Sequence, residues 1–235
     1  MSREIEQDFE KVMQFYNNYS MSDITVQEGI EKQLKCMHRK LYSYMIFLGE
    51  QANAGTFDET TLAYQKEVVS DMIMAFFCWS NGIYKSAKLL LRSGIENFVK
   101  AIVYTYCPEI IQNKNVYEVF ELAKKQSPFS DAYTAIHFDN IHAKYADLCA
   151  TVHGSMDKLA SIGGLIQFPC YDITEANHTY DDYVKIIDEY LSCVYYVYYE
   201  QVYKMHEFNR DLFLQGVQRR EKQKIYELKS EECSI

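Results

Sequence analysis

Three side chains of this chain could meet to move a proton: Arg92, Glu96 and His153. Arg92 and Glu96 stand four residues apart, one helical turn, with Lys88 and Lys100 a turn to either side. Such a pair contributes about 0.3–0.5 kcal/mol when exposed. Leu89, Leu90 and Leu91 before the arginine and Phe98 after the glutamate set it at the edge of a packed face, where a charge pair needs further partners. His153 is the distant candidate. It ends the run from Tyr145 through Leu148 to Val152 and precedes Gly154, a glycine of C-cap type. An imidazolium there gains up to about 1 kcal/mol from the helix dipole. Two readings are open. His153 caps a helix, or it faces Arg92 and Glu96 across a helix pair, with Glu96 orienting a ring that acts as a base near neutral pH. Ser93, Lys88 and Tyr145 are the supporting side chains.

Other chemistries find less in the sequence. The six histidines include no H-E-x-x-H or H-x-x-x-H, and His137 and His142 are five apart, off one another's helical face, so no metal site and no cofactor is expected. Gly163-Gly164 lacks the spacing of a phosphate-binding loop, and no G-x-S-x-G occurs. Asp181-Asp182 and Glu231-Glu232 are adjacent and point apart on a helix. Cys149 lies one turn before His153, the spacing of a nucleophile and its base, but on an apolar face with nothing to orient the imidazole.

The elements that must position these residues are helices. From Gly82 to Tyr106 the apolar residues Tyr84, Ala87, Leu91, Ile95, Phe98, Ile102 and Tyr106 recur at steps of three and four. Gly82 and Pro108 mark the ends. Upstream, residues 3–18 form an amphipathic arm helix, a second helix runs from about Ile24 to Asn53, and a third opens at Asp58 and Glu59 and stops at Ser80-Asn81. Downstream come a short helix at 116–124, one helix or two over 130–153, a turn of helix at 156–162 and a long helix at 179–209. Only Leu165 to Phe168 could pass for a strand, too short to found a sheet. Tyr195, Tyr196, Tyr199 and Tyr203 cover more than one face of the last long helix. They are either the rim of a central bundle helix or a dimer or partner surface. Residues 210–235 carry the run Arg219 to Lys224 and read as a charged extension, solvated or in contact with nucleic acid or a partner. The expectation is a single all-α domain, an up-and-down bundle with its core at about 24–207.

Composition sets the bounds. At 235 residues, 48% hydrophobic and 24% charged, the chain can bury a full core without staples. A net charge of −9 argues against a surface that grips nucleic acid throughout but leaves room for a local basic patch. The seven cysteines are scattered with no C-x-x-C, the first residues are polar and acidic, and no apolar run reaches a membrane span. These features read as cytoplasmic, with reduced thiols and no membrane contact.

The helix Gly82, Tyr84, Ala87, Leu90, Leu91, Arg92, Ser93, Glu96, followed by Tyr145, Leu148, Val152, His153 and Gly154, resembles the HEPN superfamily and its relatives in prokaryotic abortive-infection and toxin systems. The likeness covers about residues 65–205. It implies a four-helix bundle, frequently dimeric. Active members are metal-independent ribonucleases that use R-x(4–6)-H, with paired sites at the dimer interface. This chain departs from that pattern, with Ala146, Asp147 and Leu148 where the arginine would stand. Arg92 would then supply the cation from the neighbouring helix. The expectation is an RNA-directed defence component, a homodimer or part of a larger complex, with Arg92, Glu96 and His153 as its site. The alternatives are a non-catalytic interaction or scaffold subunit in which those residues form a structural network, and an adaptor that binds a nucleotide in the bundle.

Overall fold

The computed structural model describes residues 3–20, 24, 27–152 and 163–232, and among them all regular structure is helical. In chain order the helices are α1 (Arg3–Asn18), α2 (Ile30–Asn53), α3 (Glu59–Ser80), α4 (Tyr84–Val103), α5 (Val116–Ala123), α6 (Ser127–Ser130), α7 (Ala132–Val152), α8 (Ile173–Val197), α9 (Tyr199–Lys204), α10 (Glu207–Gly216) and α11 (Arg219–Glu232). The stretch that could pass for a strand is a 3-10 turn at Leu165–Gln167. His153 and the 156–162 turn lie outside the described residues.

Five long helices make an up-and-down bundle. Gln33 bonds Asn177 at 2.8 Å and Lys40 pairs with Asp188, so α2 and α8 run parallel. Trp79 Nε1 donates to the Ala176 carbonyl at 2.8 Å, which brings the end of α3 to the start of α8. Lys144 meets Asp182 at 2.7 Å while His137 meets Glu189, so α7 descends as α8 rises. α8 is the central helix: Tyr183, Ile186, Ile187, Tyr190, Leu191, Cys193 and Val194 are all buried. Its Tyr190 stacks on Phe98 of α4 at 4.0 Å, the contact that joins the two apolar stripes. The α4 stripe is buried as its periodicity requires, except for Tyr106, which falls beyond the helix and is exposed.

Helix ends follow local chemistry. Asp58 caps α3 by accepting from the amides of Thr60 and Thr61, each at 2.9 Å. Gly82 closes the same helix in a left-handed conformation, φ +70°, with Gly82 N donating to the Trp79 carbonyl and Ile83 N to that of Cys78. That is the paired bonding of a Schellman end. α2 begins at Ile30, not near Ile24, because Gly29 takes φ +82° just before it. α7 runs unbroken through Phe138 and Asp139. The helix expected over 179–209 divides into α8, α9 and α10 at Tyr198 and Met205, whose backbones leave helical geometry.

Two expectations need correction. The C-terminal residues are not a solvated appendage: Phe213, Val217 and Ile225 are buried in the common core, and α10 packs on α2, where Ser43 Oγ donates to the Leu212 carbonyl at 2.9 Å. Tyr195 and Tyr196, offered as interface residues, are 2% and 8% exposed and pack inside the chain, because α9, α10 and α11 fold back over that end of α8. Tyr199 is half-buried and Tyr203 is 41% exposed. The larger exposed apolar side chains lie elsewhere, among them Phe9, Met13 and Tyr16 on α1 and Ile73, Met74 and Phe77 on α3. No helix among the described residues is long and apolar enough to cross a membrane.

α3 and α4 are joined through a buried carboxylate. Asp71 accepts from Asn97 Nδ2 at 2.9 Å, and Gly94 brings the helices together, since a Cβ there would lie 3.4 Å from Asp71 Cβ. Burial raises the Asp71 pKa above the ordinary carboxylate value, against the lowering effect of hydrogen bonds from Ser93 and Asn97. The folded state therefore holds this proton more tightly than the unfolded one. Its contribution to stability is greatest below the unfolded value and declines as pH rises through the folded one. Urea titrations of the parent and of Asp71→Asn should show the parent losing ground to the variant as pH rises from about 4. A difference that stays constant with pH would remove Asp71 as the cause.

Candidate functional site

Arg92 sits half-buried on α4, facing α7. Its Nη2 donates to the Tyr145 hydroxyl at 2.6 Å and its Nε donates to Cys149 Sγ at 3.2 Å, while the guanidinium carbon lies 4.8 Å from the Tyr145 ring centre. Tyr145 and Cys149 are four apart, so both project from one stripe of α7.

The charges are distributed otherwise than the sequence suggested. Glu96 bonds Lys100 at 2.7 Å, and among the described residues no carboxylate forms an ion pair with Arg92. Glu followed by Lys at i+4 is the favourable orientation on a helix, whereas Arg92 followed by Glu96 is the reverse, so the lysine wins the carboxylate. Lys88 is likewise engaged, with Glu175 of α8 at 2.6 Å. Ser93 faces away from Arg92, toward Asn97 and Asp71. Of the expected set, the structure brings together Arg92 and Tyr145. It assigns Glu96, Lys88 and Ser93 to other partners, and His153 lies outside the described residues.

Electrostatics keep Arg92 charged. Burial alone would favour its neutral form, but the bond to Cys149 and the proximity of Tyr145, Cys149 and Glu96 raise its pKa. Burial also pushes the Tyr145 hydroxyl well above the usual phenol range, opposed by the Arg92 charge, so it stays protonated at neutral pH. The result is a half-buried guanidinium held by a neutral hydroxyl and a sulfur. A guanidinium has five N–H donors, and these contacts occupy two of them.

The Cys149 contact was not legible from the sequence. Its position on an apolar stripe marked it as packing, and only the approach of α4 turns its sulfur toward a donor. The signal that could have found it is the Tyr145–Cys149 spacing set against an arginine whose neighbour Glu96 is claimed by Lys100 at i+4. Among the described residues no group of three His, Cys, Asp or Glu side chains is placed to hold a metal ion. In comparisons with known proteins, no family model matches the chain, and neither does any curated protein or solved structure.

Proposed function

We propose that this chain is a HEPN-like component of a prokaryotic defence system that acts on RNA in the cytoplasm as a metal-independent endoribonuclease. The observation that carries the reading is the Arg92 guanidinium, half-buried, charged, held by Tyr145 and Cys149 and in no ion pair among the described residues, the nearby Glu96 being bonded to Lys100. Donors left over on a positioned guanidinium suit a phosphate, whose oxygens they can engage as a fork. Cys149 and Tyr145 fix the direction of that fork. Glu96 and Lys100 form the charged rim one turn away.

In this mechanism His153 removes the proton from a ribose 2′-hydroxyl and the oxygen attacks the adjacent phosphorus. Arg92 stabilises the added negative charge on the phosphorane oxygens. The 5′-oxygen of the next nucleotide leaves with the proton that His153 took up, giving a 2′,3′-cyclic phosphate, a free 5′-hydroxyl and a neutral imidazole. The resemblance supplies the pairing of a cation with this histidine, and the α4–α7 packing supports it, because Arg92 reaches Cys149, four residues before His153 in sequence. A homodimer with paired sites belongs to the same proposal, and light scattering checks it.

RNA cleavage and the toxicity of overexpression test the reading. His153→Ala and Arg92→Ala should each lower cleavage by about 10²-fold or more, with Tm moved by only a few degrees. A folded His153→Ala protein that cleaves RNA or kills cells as the parent does ends the catalytic reading. If Arg92→Ala instead unfolds the bundle and activity falls only with the folded fraction, the cluster is a structural tie between α4 and α7 and the chain is an interaction subunit.

A further inference from the structure

α11 lies across α7 and α8 on contacts that are mostly charged. Ile225 is its buried apolar anchor, with Leu228 half-buried beside it. Around that anchor, Glu221 accepts from the Tyr133 hydroxyl at 2.7 Å, Lys224 lies 4.8 Å over the Tyr133 ring and Lys229 lies 3.9 Å over the Tyr196 ring. Beneath Glu221 is His137 of α7, 7% exposed. Its Nδ1 meets a carboxylate oxygen of Glu189 on α8, and its Nε2 is 3.6 Å from Glu221 on α11. Asn140 Nδ2 donates to the other Glu189 oxygen at 3.0 Å, so that carboxylate is held in place.

We infer that His137 is a proton-operated latch that holds the C-terminal helix α11 against the α7–α8 face. A carboxylate accepts and cannot donate, and His137 has one on each ring nitrogen. Only the imidazolium attracts both, by a hydrogen bond to Glu189 and as an ion pair with Glu221 across 3.6 Å. The neutral ring keeps its proton toward one glutamate and turns a lone pair toward the other. Glu189 is fixed by Asn140 within the bundle, so the contact that fails is the one to Glu221, on the helix with few apolar anchors. The groups facing the imidazole agree on the sign. Glu189 from α8 and Glu221 and Lys224 from α11 sum to one negative charge, which the imidazolium cancels and the neutral imidazole leaves standing. Tyr133 on the same helix stays protonated, because burial and its bond to Glu221 push its pKa far up. α11 is therefore held while the His137 ring carries both protons and loosens when it gives one up. Its release uncovers Tyr133 and Tyr196.

Hydrogen exchange of the intact chain, corrected for the intrinsic pH dependence of exchange, reads this directly. Between pH 5.5 and 8.5 the amides of α11 should lose roughly tenfold or more of their protection, the scale of one charge-assisted contact, while those of α2 and α8 keep theirs. Glu221→Gln retains the acceptor for Tyr133 and removes the carboxylate that the neutral ring repels. It should keep α11 docked with a flat pH profile, and His137→Gln should flatten the profile too. If α11 protection in the parent does not change with pH, or if Glu221→Gln retains the parental slope, His137 is not the latch.

Discussion

Gly82→Ala should lower stability by roughly 2–5 kcal/mol, seen as a fall in Tm of about 4–20 °C. Two costs add at this position. The backbone is left-handed at φ +70°, a conformation that disfavours any residue with a Cβ by about 1–2 kcal/mol. A Cβ built there would also stand 1.9 Å from the carbonyl oxygen of Cys170 and 2.7 Å from its carbon. Those are backbone atoms of the loop leading into α8, so no side-chain rotation relieves the clash and the loop must move. Its displacement would disturb the start of α8, where Trp79 bonds the Ala176 carbonyl and Lys88 bonds Glu175. Gly49→Ala is the control. Gly49 lies on the exposed side of α2 with no atom within 4 Å of a Cβ, and alanine there should stabilise the protein by about 1 kcal/mol. Equal melting temperatures for the two variants would show that the 82–170 approach does not constrain the fold.

Breaking the buried pair of Lys40 and Asp188 should cost about 3–5 kcal/mol from either side. Lys40 on α2 is 5% exposed and Asp188 on α8 is 9% exposed. Asp188 also accepts from Gln218 Nε2 at 2.7 Å, and Lys40 lies 3.5 Å from the Gly216 carbonyl. The pair thus ties α2, α8 and the segment between α10 and α11 at one point. Lys40→Met leaves a buried carboxylate with a single amide donor, and Asp188→Leu leaves a buried ammonium facing one distant carbonyl. Combining the two removes both charges and replaces them with volume, so the double variant should recover most of the loss. Urea denaturation of the four proteins closes the cycle. A double variant as unstable as the sum of the singles would show that the pair contributes through packing of the lysine stem rather than through charge compensation.

The sequence by itself determined the helices and their inner faces. Apolar residues at steps of three and four are a local signal, and they placed Leu91, Ile95, Phe98 and Ile102 on the buried stripe of α4 and Tyr183, Ile187 and Tyr190 on that of α8. Asp58 and Gly82 marked ends for the same reason, since a cap is made with residues two to five positions away. The helix of Arg92 was expected to meet the one that runs to Val152, and Arg92 reaches its Tyr145 and Cys149. What the tertiary structure alone decided was which partner each polar group takes. Glu96 had two cations in reach and took Lys100, and Arg92 turned to Tyr145 and Cys149, a sulfur the local pattern had marked as core. The tyrosines of α8 looked like excess surface because one helix has only one inner face. They are buried because α9, α10 and α11 return over them, a consequence of chain breaks at Tyr198 and Met205 that carry no proline or glycine to announce them. The latch of His137 between Glu189 and Glu221 is of the same kind, built from residues 52 and 84 positions apart, a distance over which spacing carries no information and only packing brings charges into contact.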